Sequence, residues 1–209
     1  MLTLYDYLPS QNGWKVRVLL GLLGIPYRTR IVSIFEGESR TEAFLRLNPA
    51  GAVPVLELED DLALAESNAI LAYLAEGTPF LPDDRYFRAK TMQWLSFEQY
   101  YVEPAIGTLR YWTLTGKLAR NAGPMVESRR ETATRALDAL ERSLTGADFL
   151  VGERCTIADI SLYAYGHRAA DAGCDLAPYP AFRAWVARAS DAIGPGYPVH
   201  PYEIDPHAG

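Results

Sequence analysis

Three short stretches carry side chains whose type and position suit chemistry on an anionic or extended ligand. Ser10, in YDYLPSQNGWKVRVLL, follows an apolar run and precedes a helical one, so its hydroxyl stands beside the positive end of a helix, with the Asn12 amide close by. Glu66-Ser67 directly precedes the helical run NAILAYLAEG, which makes Ser67 an N-cap or first-turn residue and its helix start a seat for an anion. Val53-Pro54 lies between a loop and an apolar run, where proline marks the start of an edge strand. His167, His200 and His207 lack ligand spacing, so no metal is assigned. Cys155 and Cys174, the two cysteines, form neither a zinc pair nor a disulfide framework, and a reduced compartment is the simpler expectation.

The elements that must position these residues show in the apolar periodicity. LTLYDY alternates as a strand, VRVLLGLLG keeps one apolar helical face until Gly24 and Pro26, and RTRIVSI is a second strand run. The first helix is expected to begin near Gly13. SRTEAFLRLN reads as an amphipathic helix, PVLELED and LALA as strands joined at Asp60-Asp61, and ESNAILAYLAEG as a closing helix. This βαβαββα order predicts an α/β, thioredoxin-like domain over residues 1–78. TPFLPDD, with two prolines and two acids, predicts a linker over 79–84. Residues 85–209 show helical patterns at about 85–115, 124–145, 157–170 and 180–192, so the second domain is expected to be all-α. Thr156 and Asp159 in CTIADI form a capping box, with Cys155 and Ile160 as a hydrophobic staple, which gives Cys155 a packing role. The proline-rich tail after Ile193 is expected to be irregular and laid over the helices.

Composition sets outer bounds. The 209 residues are 49% hydrophobic and 11% aromatic, enough for a sizeable core. A formal charge of -6 and the lack of a Lys/Arg cluster argue against a nucleic-acid partner. No basic leader or long uninterrupted apolar run appears, so a cytoplasmic protein without a membrane segment is expected.

Taken together, NPAGAVPVLELEDDLALAESNAI, the Ser10 segment and the Thr156 box resemble the soluble glutathione transferase family over nearly the whole chain. The resemblance implies glutathione as co-substrate and a cis bond before Pro54, freeing the Val53 backbone to pair with the extended tripeptide as an added strand would. It implies that Ser67 takes the γ-glutamyl α-carboxylate, with Glu66 positioning the same moiety near its ammonium group. Ser10 aligns with the thiol-activating serine of the zeta and phi classes, and Asn12 is the rival donor. A tyrosine-type site would need tyrosine where Asp6 stands, Tyr5 and Tyr7 pointing to the other face. A cysteine-type site is excluded because the first cysteine is Cys155. Arg40 is either a ligand for the glycyl carboxylate or a solvated charge.

The expected chemistry is glutathione S-transferase activity, as in detoxification: the thiolate attacks a small electrophile by substitution or addition. A thiol of pKa about 8.5 is only about 3% ionised at pH 7, and a hydrogen bond from Ser10 at a helix N-terminus could lower that pKa by about two units without a general base. The resemblance places the acceptor pocket between domains, against the first helix of the second. There Tyr100, Glu103, Gly107 and Arg110 recur at helical spacing, as pocket lining or as a solvated face, while Trp94, Phe97, Tyr101 and Ala105 form an apolar core stripe. Zeta isomerases carry Ser-Ser-Cys where this chain has Ser10-Gln11-Asn12, which weighs against isomerase activity. Peroxidase or thiol-transferase activity, and a noncatalytic assembly domain, are the alternatives. A homodimer is implied by the family.

Overall fold

The computed structural model describes residues 1–58, 62–121 and 123–202; the Asp60-Asp61 junction and His207 lie outside them. β1 (Leu2–Asp6) runs parallel to β2 (Tyr27–Ile31), with Leu2 opposite Tyr27 and Asp6 opposite Ile31. α1 (Gln11–Leu22) makes the crossover and ends before Gly24, whose φ of 63° an L side chain rarely adopts. The other edge of β1 pairs antiparallel with β3 (Val55–Glu57), and β3 pairs with β4 (Ala63–Ala65), giving the sheet order β2-β1-β3-β4. This is the mixed sheet of a thioredoxin-like domain.

Strand alternation divides the packing between the two sheet faces. Tyr5, Val32, Phe44 and Val55 form one apolar cluster under the short α2 (Glu42–Leu47). Leu4 and Leu56 point the other way and are fully buried, as are Val16, Val18, Leu19 and Leu20 of α1 and Ile70 and Leu71 of α3 (Ser67–Ala75). α1 and α3 pack against each other.

Contacts divide the chain into two compact units, and Met1–Glu76 forms the first together with Gly196–Pro201. That tail segment is irregular and lies on α1: the Trp14 indole N-H donates to the Tyr197 carbonyl at 3.0 Å. A side chain on Gly21 would collide with the Tyr197 ring, its Cβ only 2.5 Å from Oη.

The second unit starts at Gly77 and is helical. Phe80 of the TPFLPDD stretch belongs to it, accepting the Ile157 N-H at 2.9 Å. Asp84 caps α4 (Arg85–Phe97), accepting from Tyr86 N-H at 2.9 Å and Phe87 N-H at 3.0 Å. α6 (Gly123–Leu144) and α8 (Pro180–Ile193) are joined through Glu141, whose carboxylate accepts from the Ala181 and Phe182 N-H groups at the start of α8. α7 (Ile157–Gly166) is buried at every position, as its near-continuous apolar sequence requires. Its capping box forms as expected: Thr156 Oγ1 accepts from Ala158 N-H at 3.2 Å, and Asp159 Oδ2 accepts from Thr156 N-H at 2.9 Å.

One expectation fails in a way that matters for the site. The helix expected over 85–115 is interrupted by a π-helical segment, Glu98–Gly107, before α5 (Thr108–Leu114) resumes. Pro104 inside this segment has no N-H to donate, and the wider i→i+5 turns shift the phase of every side chain beyond them. Tyr100, Glu103, Gly107 and Arg110 therefore do not form one polar stripe.

Candidate functional site

The first turns of α1 and α3 meet. Ser67 Oγ donates to Asn12 Oδ1 at 3.2 Å, so residues far apart in sequence stand at two adjoining helix starts. α1 begins at Gln11, two residues before the expected Gly13, which makes Ser10 its N-cap and puts Asn12 in the first turn. The Ser10 N-H donates to the Tyr7 carbonyl at 2.8 Å and its carbonyl accepts the first helical bond from Trp14 N-H at 3.0 Å. Its hydroxyl makes no capping hydrogen bond, so it remains a donor at the positive end of the helix.

At α3, Ser67 is the first helical residue and Glu66 occupies the N-cap position. Glu66 has φ 67° and ψ 108°, the positive φ that non-glycine residues avoid at a cost of about 1–3 kcal/mol. Its side chain is exposed and makes no capping bond, while Ser67 is 5% exposed. The strained residue brings β4 straight into the helix, and its own side chain does not cap α3.

The loop carrying Val53 is braced from two sides. Asn48 donates from Nδ2 to the Ala52 carbonyl at 2.8 Å and accepts the Ala50 N-H on Oδ1 at 3.0 Å. Arg40 Nη1 donates to the Ala50 carbonyl at 3.0 Å, and Gly51 (φ 61°) admits this approach. Arg40 lies in a 3-10 turn, Glu38–Arg40, one residue ahead of the Thr41 N-cap of α2, and does not itself begin the helix. The Val53-Pro54 bond is cis, and strand pairing begins only at Val55.

Beneath α1 lies a buried pair that the residue types alone do not reveal. Asp6, wholly buried, is ion-paired with Arg17, whose Nη2 also donates to the Leu8 carbonyl at 2.9 Å. Burial pushes the Asp6 carboxyl up, and Arg17 opposes that shift. Gly13 lies directly over the carboxylate; a Cβ there would fall 1.8 Å from Asp6 Oδ1. Asp6 and Arg17 thus hold the β1–α1 turn, and with it Ser10. Tyr5 and Tyr7 face elsewhere, ringed edge to face by Phe44 and Phe35.

The acceptor-pocket residues are dispersed. Tyr100 is 73% exposed, whereas Arg110 is 2% exposed, its Nε donating to Asp171 Oδ2 at 3.2 Å and its guanidinium lying over the Tyr202 ring. Arg110 is therefore an internal residue of the second unit, not pocket lining. Gly107 is no gap either, since it makes room for the Tyr165 ring. Glu103 is half-buried on the π-helical segment. Trp94, Phe97 and Tyr101 do form a continuous aromatic row, with centroid distances of 5.2 and 5.0 Å, but Tyr101 is 38% exposed.

Cys155 and Cys174 are free thiols, and burial pushes both up, away from the reactive thiolate form. Among the described residues no cluster of His, Cys, Asp or Glu could hold a metal ion, and no helix is long and apolar enough to cross a membrane.

The chain matches the glutathione S-transferase N-terminal domain over residues 9–76 and the glutathione S-transferase C-terminal domain over residues 101–191. It is 31% identical over 196 residues to the disulfide-bond oxidoreductase YfcG of Escherichia coli (strain K12), covering 90% of this chain and 89% of that protein. Among solved structures it resembles a glutathione S-transferase from Pseudomonas fluorescens [Pf-5], with TM-score 0.87 and 43% identity over 90% of this chain and 93% of the other. It also resembles a glutathione transferase family member from Pseudomonas fluorescens pf-5 with two glutathione bound (TM-score 0.79, 29% identity, 92% of this chain and 90% of the other).

Proposed function

The chain belongs to the soluble glutathione transferase family, and on that premise we propose that it binds glutathione at the joined starts of α1 and α3 and transfers its thiolate to small electrophiles. The observation that carries this reading is the Ser67–Asn12 hydrogen bond, which gathers two helix N-termini and the Ser10 hydroxyl into one anion-favouring locus. The γ-glutamyl carboxylate takes the first-turn N-H groups of α3, and Ser67 turns its hydroxyl from Asn12 onto the same group. Glu66, exposed beside it, meets the ammonium. The Val53 backbone, which precedes the paired residues of β3, holds the middle of the tripeptide. Arg40 keeps further guanidinium N-H donors besides the one spent on Ala50, and these serve the glycyl carboxylate.

Ser10 then donates to the sulfur. A charge-assisted hydrogen bond favours the thiolate over the thiol, and the N-terminus of α1 adds to it. A depression of about two units corresponds to about 2.7 kcal/mol and makes the thiol mostly ionised at pH 7. The thiolate attacks the electrophilic carbon, a C-S bond forms, and the leaving group departs with its electron pair, or, in addition to an enal, the carbanion takes a proton from water. Asn12 is the alternative donor, through its side-chain Nδ2 in the first turn of α1. The protein acts as a cytoplasmic homodimer, a state that sedimentation equilibrium measures directly.

A second reading is favoured by the name of the Escherichia coli relative and by the two glutathione molecules in the Pseudomonas fluorescens structure. The same thiolate attacks one sulfur of a disulfide, the S-S bond breaks, and the departing sulfur leaves as thiolate. It needs no cysteine in the first unit, and Cys155 and Cys174 both lie in the second.

Calorimetric titration with glutathione, followed by turnover of aryl halides, enals, hydroperoxides and a small disulfide, tests both readings. Conjugation predicts saturable binding and turnover of the carbon electrophiles; turnover of the disulfide alone selects the exchange reaction. Absence of glutathione binding by the intact protein overturns both in favour of an assembly role.

A further inference from the structure

One edge of the sheet is open. β2 ends the strand order, and among the described residues its outer side meets no other strand. It is as long as β1, pairs with it in unbroken register over five residues and contains no proline. Of the features that usually blunt an edge strand, it therefore has charge alone. Arg28, Thr29, Arg30 and Ile31 are all exposed, Ile31 to 52%.

The ladder to β1 fixes which backbone groups face outward. Val32 N-H donates to the Asp6 carbonyl at 2.8 Å, and Asp6 stands opposite Ile31. Backbone groups alternate sides along a strand, so Arg28, Arg30 and Val32 turn their N-H and C=O toward β1, whereas Thr29 and Ile31 turn theirs outward. Among the described residues nothing hydrogen-bonds to these outward groups. The same alternation sorts the side chains. The Arg30 guanidinium lies 5.3 Å from the Tyr5 ring centroid, so Arg28 stands on that face too, while Thr29 and Ile31 share the other. Among the described residues neither arginine forms an ion pair with a carboxylate. Glu57 Oε2 instead accepts from the Tyr5 hydroxyl at 3.1 Å, and Glu38 Oε2 from the Ser33 N-H at 2.7 Å.

We infer that this edge takes an extended acidic segment of a partner protein as a fifth strand, antiparallel to β2. Residues of the segment opposite Thr29 and Ile31 exchange both backbone hydrogen bonds with them. Residues opposite Arg28 and Arg30 form the closer, non-hydrogen-bonded pairs, and carboxylates there meet the two guanidinium groups. The segment therefore alternates acidic with apolar residues, and its apolar side chains cover Ile31. A second copy of this chain does not fit the edge: antiparallel pairing of two β2 strands sets arginine beside arginine, and like charges across a ladder repel. The attraction is local, because the chain as a whole carries a formal charge of -6.

The test uses the isotope-labelled full-length protein and a capped hexapeptide of alternating valine and glutamate. Controls are the peptide with lysine for glutamate and one of the same composition with its valines and glutamates in separate blocks. Binding should shift the amides of residues 27–32, and the Thr29 and Ile31 amides should gain protection from hydrogen exchange. The Arg28 and Arg30 amides, already bonded to β1, should keep theirs. Methylating the valine nitrogens should abolish binding, since those N-H groups pair with the edge, whereas methylating the glutamate nitrogens should cost less than about threefold. The double variant Arg28→Gln, Arg30→Gln should bind about tenfold more weakly. Both arginines are exposed, so this variant folds, and an unchanged amide spectrum outside residues 27–32 confirms it. Equal binding of either control peptide, tolerance of valine methylation, unchanged affinity in the double variant, or no shift at millimolar peptide overturns the inference. Protection of Thr29 and Ile31 that rises with protein concentration alone gives the edge to a second copy and overturns it too. Glutathione is absent throughout, so the outcome is independent of the glutathione site.

Discussion

Replacing Gly13 by alanine sets two effects of opposite sign against each other. Gly13 lies inside α1 with an ordinary helical backbone, so helix propensity alone makes alanine more stable by about 1 kcal/mol. The added Cβ, however, falls 1.8 Å from Asp6 Oδ1 and 2.5 Å from its Cγ, more than about 1.5 Å inside van der Waals contact. Asp6 has no exposed surface to retreat to, and Arg17 holds its other oxygen while also holding the Leu8 carbonyl. Either the buried pair breaks, costing about 3–5 kcal/mol, or the first turn of α1 lifts and carries Ser10 and Asn12 with it. After the propensity gain, the expected loss is about 2–4 kcal/mol in urea unfolding at pH 7. In an Asp6→Ala background the clash is gone, and the same substitution should stabilise by about 1 kcal/mol. A stabilising Gly13→Ala in the wild-type background, or an equal effect in both backgrounds, would show that the Asp6 carboxylate does not lie under this turn.

The second unit offers independent checks. His167 stacks on Tyr163 at 4.3 Å with its Nδ1 2.6 Å from the Tyr163 carbonyl, and burial holds its pKa at about 4, below the usual 6.5. Because the folded value is the lower one, its contribution is fully present above pH 6.5 and is lost as pH falls through about 4. Between pH 7 and pH 4 the wild type should lose about 3 kcal/mol more than His167→Asn by urea unfolding, and parallel pH profiles would refute the burial. Asp159 accepts from Leu150 N-H, Thr156 N-H, the Thr156 hydroxyl and the Trp185 indole, so Asp159→Ala leaves four buried donors without their acceptor. The expected loss is at least about 3 kcal/mol, with a shifted Trp185 emission spectrum, and a loss below about 1 kcal/mol would contradict the network.

Much of the architecture is legible in local patterning. The alternation in LTLYDY, the Gly24–Pro26 stop and the Thr156–Asp159 box each act within a few residues, so their consequences appear in the sequence. Glu66-Ser67 is legible for the same reason, since a polar pair before an apolar helical run marks a helix start. The supports of the site are not. Asp6 reads only as the absence of a tyrosine until the fold brings Arg17 and Gly13 onto it, and Arg40 reads as a surface charge until the loop returns Ala50 to its guanidinium. Asn48 leaves a trace, an Asx residue before a Pro-Ala-Gly turn, which is the usual setting for side-chain bonding to the backbone. Arg110 misleads because helical spacing is counted across Pro104, the one residue in that stretch that warns of a change in helical phase.

The central claim is that Ser10, at the N-terminus of α1, stabilises the thiolate of bound glutathione. Ultraviolet titration of the bound thiol, wild type against Ser10→Ala and Asn12→Ala, measures this directly. The account predicts a bound thiol titrating about two units below a free thiol of about 8.5 in the wild type and in Asn12→Ala, rising by at least about one unit in Ser10→Ala. A bound-thiol pKa unchanged in Ser10→Ala would contradict it, and a rise confined to Asn12→Ala would transfer the role to Asn12.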